Sequence, residues 1–296
     1  MSNQPSGNTT AMALDENWFT ETVLDEGLAF SLRIKERLHA EQSPYQRIEV
    51  FETLHWGRLM AIDGCVMLTE RDNFLYHEMM VHPAMFTHAE PHTVLIIGGG
   101  DCGTLQEVLR HPNVARVVQV EIDERVTRIA ERFFPELTAM NGDPRCDLRF
   151  EDGVKFVRRT ATACFDVVII DSTDPIGPAQ ELFGSGFLRQ IHRILRPGGV
   201  LAQQSESPLL HEKNILKPLH RSLAEAGFAR RVTLCFPVPS YPSGWWSCTL
   251  AGKACEVRDF RRTAAAARPF TTRYYNEDVH RGSLAVPEFC RGAFDG

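Results

Sequence analysis

The chain has 296 residues, of which 43% are hydrophobic and 24% charged, and its net charge is −6. That composition fits a soluble globular protein large enough to need no disulfide staples, and the negative charge argues against nucleic acid or an anionic membrane as a partner. No apolar run approaches the roughly 18 residues of a membrane span.

The opening residues Met1–Thr10 are polar and lack the basic start and apolar stretch of an export signal. Residues 1–15 are therefore expected to form a frayed tail. From Trp18 to Thr69 apolar and polar residues alternate over short stretches, such as Leu28–Ile34, Tyr45–Val50 and Arg58–Ile62. Turn signals at Asp25-Glu26-Gly27, His55-Trp56-Gly57 and Ile62-Asp63-Gly64 separate them. The pattern predicts a small antiparallel sheet of about six strands, an N-terminal β-domain over 16–72. A helix is expected over Asn73–Met80, with Pro83 disturbing its end.

At Thr93 the rhythm changes. Apolar strands are predicted at Thr93–Ile97, Arg116–Glu121, Asp147–Glu151, Phe165–Asp171 and Gly199–Gln204. Helices are predicted between them at Thr104–Arg110, Glu124–Phe134, Val154–Arg159 and Phe183–Leu195. Continuous apolar strands alternating with helices give an α/β unit with a parallel sheet covered on both faces. A further helix over Glu212–Ala226 and an antiparallel pair, Arg231–Phe236 and Trp246–Ala251, complete a second domain over 73–296. Eight cysteines are scattered without a C-x-x-C pair, so neither zinc nor a disulfide framework is indicated and reduced thiols in the cytoplasm are the economical reading.

Ligands of such a sheet bind beyond the carboxyl ends of its strands, and those ends carry acids. After the first comes Gly98-Gly99-Gly100-Asp101-Cys102-Gly103, where Gly98, Gly100 and Gly103 satisfy the G-x-G-x-x-G pattern that lets backbone approach an adenosine-containing ligand. Asp101 inside that loop would repel a pyrophosphate and attract a cation. Cys102 reads as a small filler rather than a nucleophile. Glu121 lies 23 positions past Gly98, close to the roughly 20 expected of an acid on ribose hydroxyls. Asp152 can accept an adenine amine, and Gly153 lets the ring lie against backbone. Asp152 and Asp123 have helix N-caps as the alternative reading. The fourth strand ends in Asp171-Ser172-Thr173-Asp174. Three carboxylates, Asp101, Asp171 and Asp174, converging in one cleft raise one another's pKa. A fold tolerates that for a cationic ligand or a base. The segment Asp174–Pro178 reads either as a lid or as a rigid turn.

Taken in order, Gly98–Asp101, Val120–Asp123, Asp152-Gly153 and Asp171–Pro178 resemble the motifs of the polyamine aminopropyltransferase family. So do Thr69–Asp72 leading to Tyr76-His77-Glu78, Pro239–Gly244, Tyr274–Asn276 and His280, and the likeness covers about Trp18 to Phe289. The resemblance implies a β-domain followed by a Rossmann-like methyltransferase-type domain, assembled as a homodimer or homotetramer. It implies transfer of an aminopropyl group from decarboxylated S-adenosylmethionine, a co-substrate rather than a permanently bound cofactor, to putrescine. The products would be spermidine and 5′-methylthioadenosine.

Carried over by motif, Gln46, Gly98, Glu121, Asp152, Gly153 and Pro178 would contact the nucleoside and its thioether, and Asp101 would hold the aminopropyl ammonium. Tyr76, His77, Ser172, Thr173, Asp174, Gln204 and Tyr241 would line the polyamine channel, and Asp171 would be the base. Cys102 departs from the family's frequent glycine, Glu151 from the glycine of some members and Ser240 from the common threonine.

The chemistry suits these residues. A diamine has ammonium pKa values near that of lysine, about 10.4, so one end must lose a proton before it attacks, and Asp171 can take it. Asp101 would fix the aminopropyl chain and oppose the extra carboxylate of ordinary S-adenosylmethionine. Tyr76 and Tyr241 offer aromatic walls for methylenes. Adjacent helix positions do not share a face, so one of Tyr76 and His77 is expected to be structural. Of Trp245 and Trp246, one is expected inside and one toward the cleft or a partner. No metal is expected. The competing readings are a nicotinamide-dependent oxidoreductase, an S-adenosylmethionine-dependent methyltransferase and a non-catalytic polyamine-binding protein. A methyltransferase would hold its donor's carboxylate near the loop, where Asp101 stands.

Overall fold

The computed structural model describes residues 14–173 and 177–292. The first sheet has five antiparallel strands in chain order: β1 (Trp18–Val23), β2 (Leu28–Gln42), β3 (Arg47–Thr53), β4 (Arg58–Ile62) and β5 (Cys65–Thr69). The expected number was about six, and β2 accounts for the difference. It runs 15 residues, far past Ile34, with register breaks at Ile34/Glu36 and Arg37/His39. Each bulge adds a residue and interrupts the period of two, so the alternation fades from the sequence although the strand continues.

The next element, α1 (Asn73–Thr87), also exceeds its expected end and carries Pro83 inside it. Residues 76–86 are all buried. A mid-helix proline costs about 3 kcal/mol. Burial of Met79, Met80, Val81 and Met85 at about 1.5–3 kcal/mol each outweighs it.

The second sheet contains β6 (Thr93–Gly98), β7 (Arg116–Glu121), β8 (Cys146–Phe150), β9 (Phe165–Asp171), β10 (Leu195–Gln204), β11 (Arg230–Pro237) and β12 (Trp245–Gly252), in the order β11-β12-β10-β9-β6-β7-β8. Strands β6 to β10 are parallel, while β12 joins β10 antiparallel and β11 joins β12 antiparallel. Successive side chains of a strand point to opposite faces, and both faces here are apolar. Val94 and Ile96 pack with α1 and α2 (Gly103–Leu109). Leu95 and Ile97 pack with α4 (Gly153–Arg159), α5 (Ser185–Ile194) and α6 (Lys217–Glu225).

The remaining crossover helix, α3 (Glu124–Phe133), turns Val126, Ile129, Ala130 and Phe133 onto Ile48, Val50 and Met60 of the first sheet. The predicted helix over Glu212–Ala226 divides into one wide turn, Glu212–Leu216, and α6, whose first turn holds Pro218, where a missing donor costs nothing. Two short helices, α7 (Arg262–Ala266) and α8 (Glu277–Ser283), follow the last strand. Among the described residues no helix is long and apolar enough to cross a membrane.

From β6 the chain winds outward through β7 and β8, then returns to lay β9 on the other side of β6. The crevice at that reversal is where open α/β sheets bind ligands.

Candidate active site

In the register of β6 and β9, Gly98 stands opposite Asp171. That pairing sets the glycine loop beside the last strand acid. Gly98 has φ +83, and a Cβ there would strike the carbonyl oxygen of Asp171. The Gly99 N–H donates to the same carbonyl at 2.7 Å.

Cys102 also adopts a left-handed φ, 68°, which explains why glycine suits this position. Its thiol is fully buried, and burial first, then Asp101, pushes its pKa up to about 12. A thiolate is therefore absent at neutral pH. Iodoacetamide at about pH 8 is expected to leave Cys102 unmodified in the folded protein, with full activity. Peptide mass spectrometry checks this, and labelling of Cys102 in the native state would contradict the filler role.

Asp101 lies at the turn into α2. One of its oxygens accepts the Gly103 N–H at 2.7 Å and faces His77 Nε2 at 3.3 Å. A Cβ on Gly103 would strike the His77 imidazole, so the third glycine makes room for this pair. Burial works to raise the Asp101 pKa, but the His77 charge and hydrogen bond and the Gly103 N–H outweigh it and hold it below the usual carboxylate range. The mutual raising expected of the acids thus fails at Asp101, because the His77 imidazole and the Gly103 N–H beside it favour its charged form.

It holds at Asp171, at the end of β9, whose pKa is raised by burial first and by Asp101 second. Two hydroxyls reach its carboxylate: Tyr76 donates to Oδ1 and Thr104 to Oδ2, each at 2.6 Å. Tyr76 and His77, although they leave α1 in different directions, each meet a candidate site acid. The acids stand on different loops flanking the first turns of α1, and residues about 100° apart around that helix meet one each. The two rings lie edge to face at 5.6 Å.

Tyr241 packs edge to face on Tyr76, with ring centroids 5.8 Å apart, and on buried Trp246 at 4.7 Å. Trp245 is half-buried against Phe289, so Trp246 is the inside member of the pair. The Tyr241 hydroxyl donates to the Met67 carbonyl at 2.6 Å. Asp72 accepts the Ser240 N–H at 2.9 Å and the Thr69 hydroxyl at 2.5 Å. Residues 239–244 are thereby fastened to the corner between β5 and α1. Gln204, at the end of β10, donates to the buried Glu206 carboxylate at 2.7 Å.

On the other side of the glycine loop, Glu121 is buried and accepts the Asp123 N–H at 2.8 Å. Burial lifts its pKa to about 7. Asp123 caps α3 and gathers the Ser43 hydroxyl at 2.6 Å and the Gln46 amide at 3.0 Å. Gln46 is thus tied to the neighbourhood of Glu121 across the two sheets.

Asp152 caps α4 through the Val154 and Lys155 N–H groups, so the capping alternative is realised at both Asp123 and Asp152. A Cβ on Gly153 would lie 2.8 Å from Ile97 Cγ2, so its smallness also serves helix–strand packing. The Ser172 hydroxyl is buried with no hydrogen bond to the described residues, and Thr173 is exposed. Asp174 lies outside the described residues, as do the Pro178 side chain and the centre of the lid-or-turn segment. Among the described residues no group of three or more His, Cys, Asp or Glu could hold a metal. Sequence reasoning missed Thr104; its only signal was a hydroxyl immediately after the last glycine of the loop.

Residues 73–260 match the family model described as the spermine/spermidine synthase domain, and residues 17–70 match the spermidine synthase tetramerisation domain. The polyamine aminopropyltransferase of Halorhodospira halophila is 59% identical over 276 residues, covering 93% of this chain and 99% of its own. That of Alkalilimnicola ehrlichii is 59% identical over 281 residues, covering 95% and 98%. A crystal structure of spermidine synthase with the transition-state analogue AdoDATO superposes with a TM-score of 0.90 at 34% identity, covering 95% of this chain and 96% of that one. Similarity of this depth along both parts of the chain means that the chain belongs to the spermine/spermidine synthase family, the polyamine aminopropyltransferases.

Proposed function

We propose that this protein is a spermidine synthase, moving the aminopropyl group of decarboxylated S-adenosylmethionine to putrescine. The observation that carries this reading is the pair of neighbouring acids at adjacent strand ends, Asp101 in the glycine loop after β6 and Asp171 at the end of β9. One suits the ammonium of the donor's aminopropyl chain; the other suits the amine that attacks it. The nucleoside would lie along Gly98, Glu121, Gln46, Asp152 and Gly153, with Pro178 beside the thioether. The diamine would run past Tyr76, His77, Tyr241 and Gln204, with Ser172, Thr173 and Asp174 completing the channel.

In the reaction the amine nitrogen bonds to the aminopropyl carbon next to sulfur while that carbon–sulfur bond breaks. The bonding pair neutralises the sulfonium, and methylthioadenosine leaves. The amine's surplus proton passes to Asp171 and then to solvent. Nitrogen, carbon and sulfur must lie roughly in line at about 3–3.5 Å of approach, so positioning decides which of the three substituents on sulfur moves. The donor is consumed as a co-substrate, and the chemistry calls for no resident cofactor or metal. The two-domain division at residues 72 and 73, assembly as a homodimer or homotetramer through the N-terminal sheet, and a cytoplasmic location complete the reading; nucleic acid and membrane are not among its partners.

A competition assay read by mass spectrometry tests it. Putrescine, cadaverine, agmatine and spermidine are offered in equal amounts with decarboxylated or ordinary S-adenosylmethionine. The expected products are methylthioadenosine and spermidine, with the decarboxylated donor alone. Methyl transfer from the ordinary donor would favour a methyltransferase, and no product from either would favour a polyamine-binding protein.

A further inference from the structure

Asp171 has to present a lone pair to an amine at the mouth of the crevice while sitting at the end of a fully buried strand. A carboxylate on a single torsion swings unless its oxygens are held. Tyr76 from α1 holds Oδ1, and Thr104 from α2 holds Oδ2 at 2.6 Å. Thr104 is wholly buried, so it meets no substrate. A helical threonine commonly turns its hydroxyl back to the carbonyl four residues earlier. Here that carbonyl, Gly100, already accepts the Thr127 hydroxyl at 2.8 Å, and the Thr104 hydroxyl points to Asp171 instead. The loop geometry aims it there: Gly98 is in register with Asp171, and the left-handed turn at Cys102 starts α2 directly beside it.

We propose that Thr104 is a positioning residue for the proton transfer, its hydroxyl fixing the Asp171 carboxylate so that the lone pairs left free by Tyr76 and Thr104 face the acceptor amine. The inference rests on the aminopropyl-transfer reading. Each carboxylate oxygen accepts two hydrogen bonds, so one position on each oxygen stays open. The hydroxyl also favours the ionised form. The charged and titratable groups around Asp171 are Tyr76 and His77 on α1, Asp101 in the glycine loop, Glu121 at the end of β7 and Cys248 on β12. Asp101 opposes ionisation of Asp171, and His77, Tyr76 and Thr104 support it. Removing the Thr104 hydroxyl tips that balance toward the proton.

The test compares the wild type with T104V, which keeps the shape and loses the hydroxyl, and with T104S, which keeps the hydroxyl. The readouts are kcat/KM for putrescine against pH and the dissociation constant of methylthioadenosine. For T104V the acidic limb is expected to move up by about one pH unit, the tenfold change in proton affinity that one charge-assisted hydrogen bond supplies. T104S is expected to keep the wild-type limb, and all three proteins to bind methylthioadenosine alike. An unmoved limb in T104V, or equal movement in T104V and T104S, overturns the inference. If T104V fails to bind methylthioadenosine, Thr104→Ala carries the same comparison. A wild-type protein that transfers no aminopropyl group would instead overturn the functional reading itself.

Discussion

Asp171→Asn is expected to lower turnover by about 10²-fold or more, within the range for loss of a general base, while methylthioadenosine binds within about twofold of wild type. The amide keeps the size of the carboxylate and can still accept from one of the Tyr76 and Thr104 hydroxyls. It can neither take a proton from an ammonium nor attract one by charge. The loss should fall on kcat and on kcat/KM for the diamine, because the proposed function puts the nucleoside elsewhere, around Glu121 and the glycine loop. The sign of the pH effect follows from the raised Asp171 pKa. If Asp171 is the base as proposed, wild-type activity falls as pH drops through that raised value, and the acidic limb due to this group disappears in the variant. Turnover within about threefold of wild type, at any pH where the protein is folded, would remove Asp171 from the role of base.

The second large effect concerns recognition of the donor. Asp101→Asn is expected to weaken decarboxylated S-adenosylmethionine by about 10²-fold, some 2.7 kcal/mol, and methylthioadenosine only a few-fold. The two ligands share the nucleoside and differ in the aminopropyl ammonium and the sulfonium charge. Asp101 is largely buried and held ionised beside His77, and a charge in such a site interacts far more strongly than one in water. The variant should also lose discrimination against ordinary S-adenosylmethionine, since the repulsion of its carboxylate goes with the aspartate. Titration calorimetry with the three nucleosides measures this directly. Equal losses for donor and methylthioadenosine would mean that Asp101 serves only to shape the turn at Gly103.

Much of this site was legible before any coordinates. The predicted strands Arg116–Glu121 and Phe165–Asp171 coincide with β7 and β9, because a strand buried on both faces is mostly apolar and ends where the polar loop begins. Acids at those ends were visible for the same reason. What could not be read were contacts that depend on two helices meeting. Nothing in the sequence indicates that Thr104 and Tyr76, 28 positions apart, reach the two oxygens of one carboxylate. Nor does it indicate that His77 lies against the bare backbone of Gly103. The period-two signal failed at Lys35–Gln42, where bulges break it. The proline rule failed at Pro83, where packing around a buried helix dominates a local penalty.

The fastening of residues 239–244 carries a consequence for how the molecule comes apart. Tyr241 contributes a wall of the candidate acceptor channel, yet its hydroxyl is anchored on β5 and the adjacent backbone on Asp72. α3 of the second sheet, in turn, completes the core of the first. Neither sheet can open without stripping partners from the other, so the two should melt as one cooperative unit. Residues 239–244 are then among the last places to fray rather than the first, and a fragment lacking residues 16–72 would lose the Met67 and Asp72 anchors of that segment together with stability.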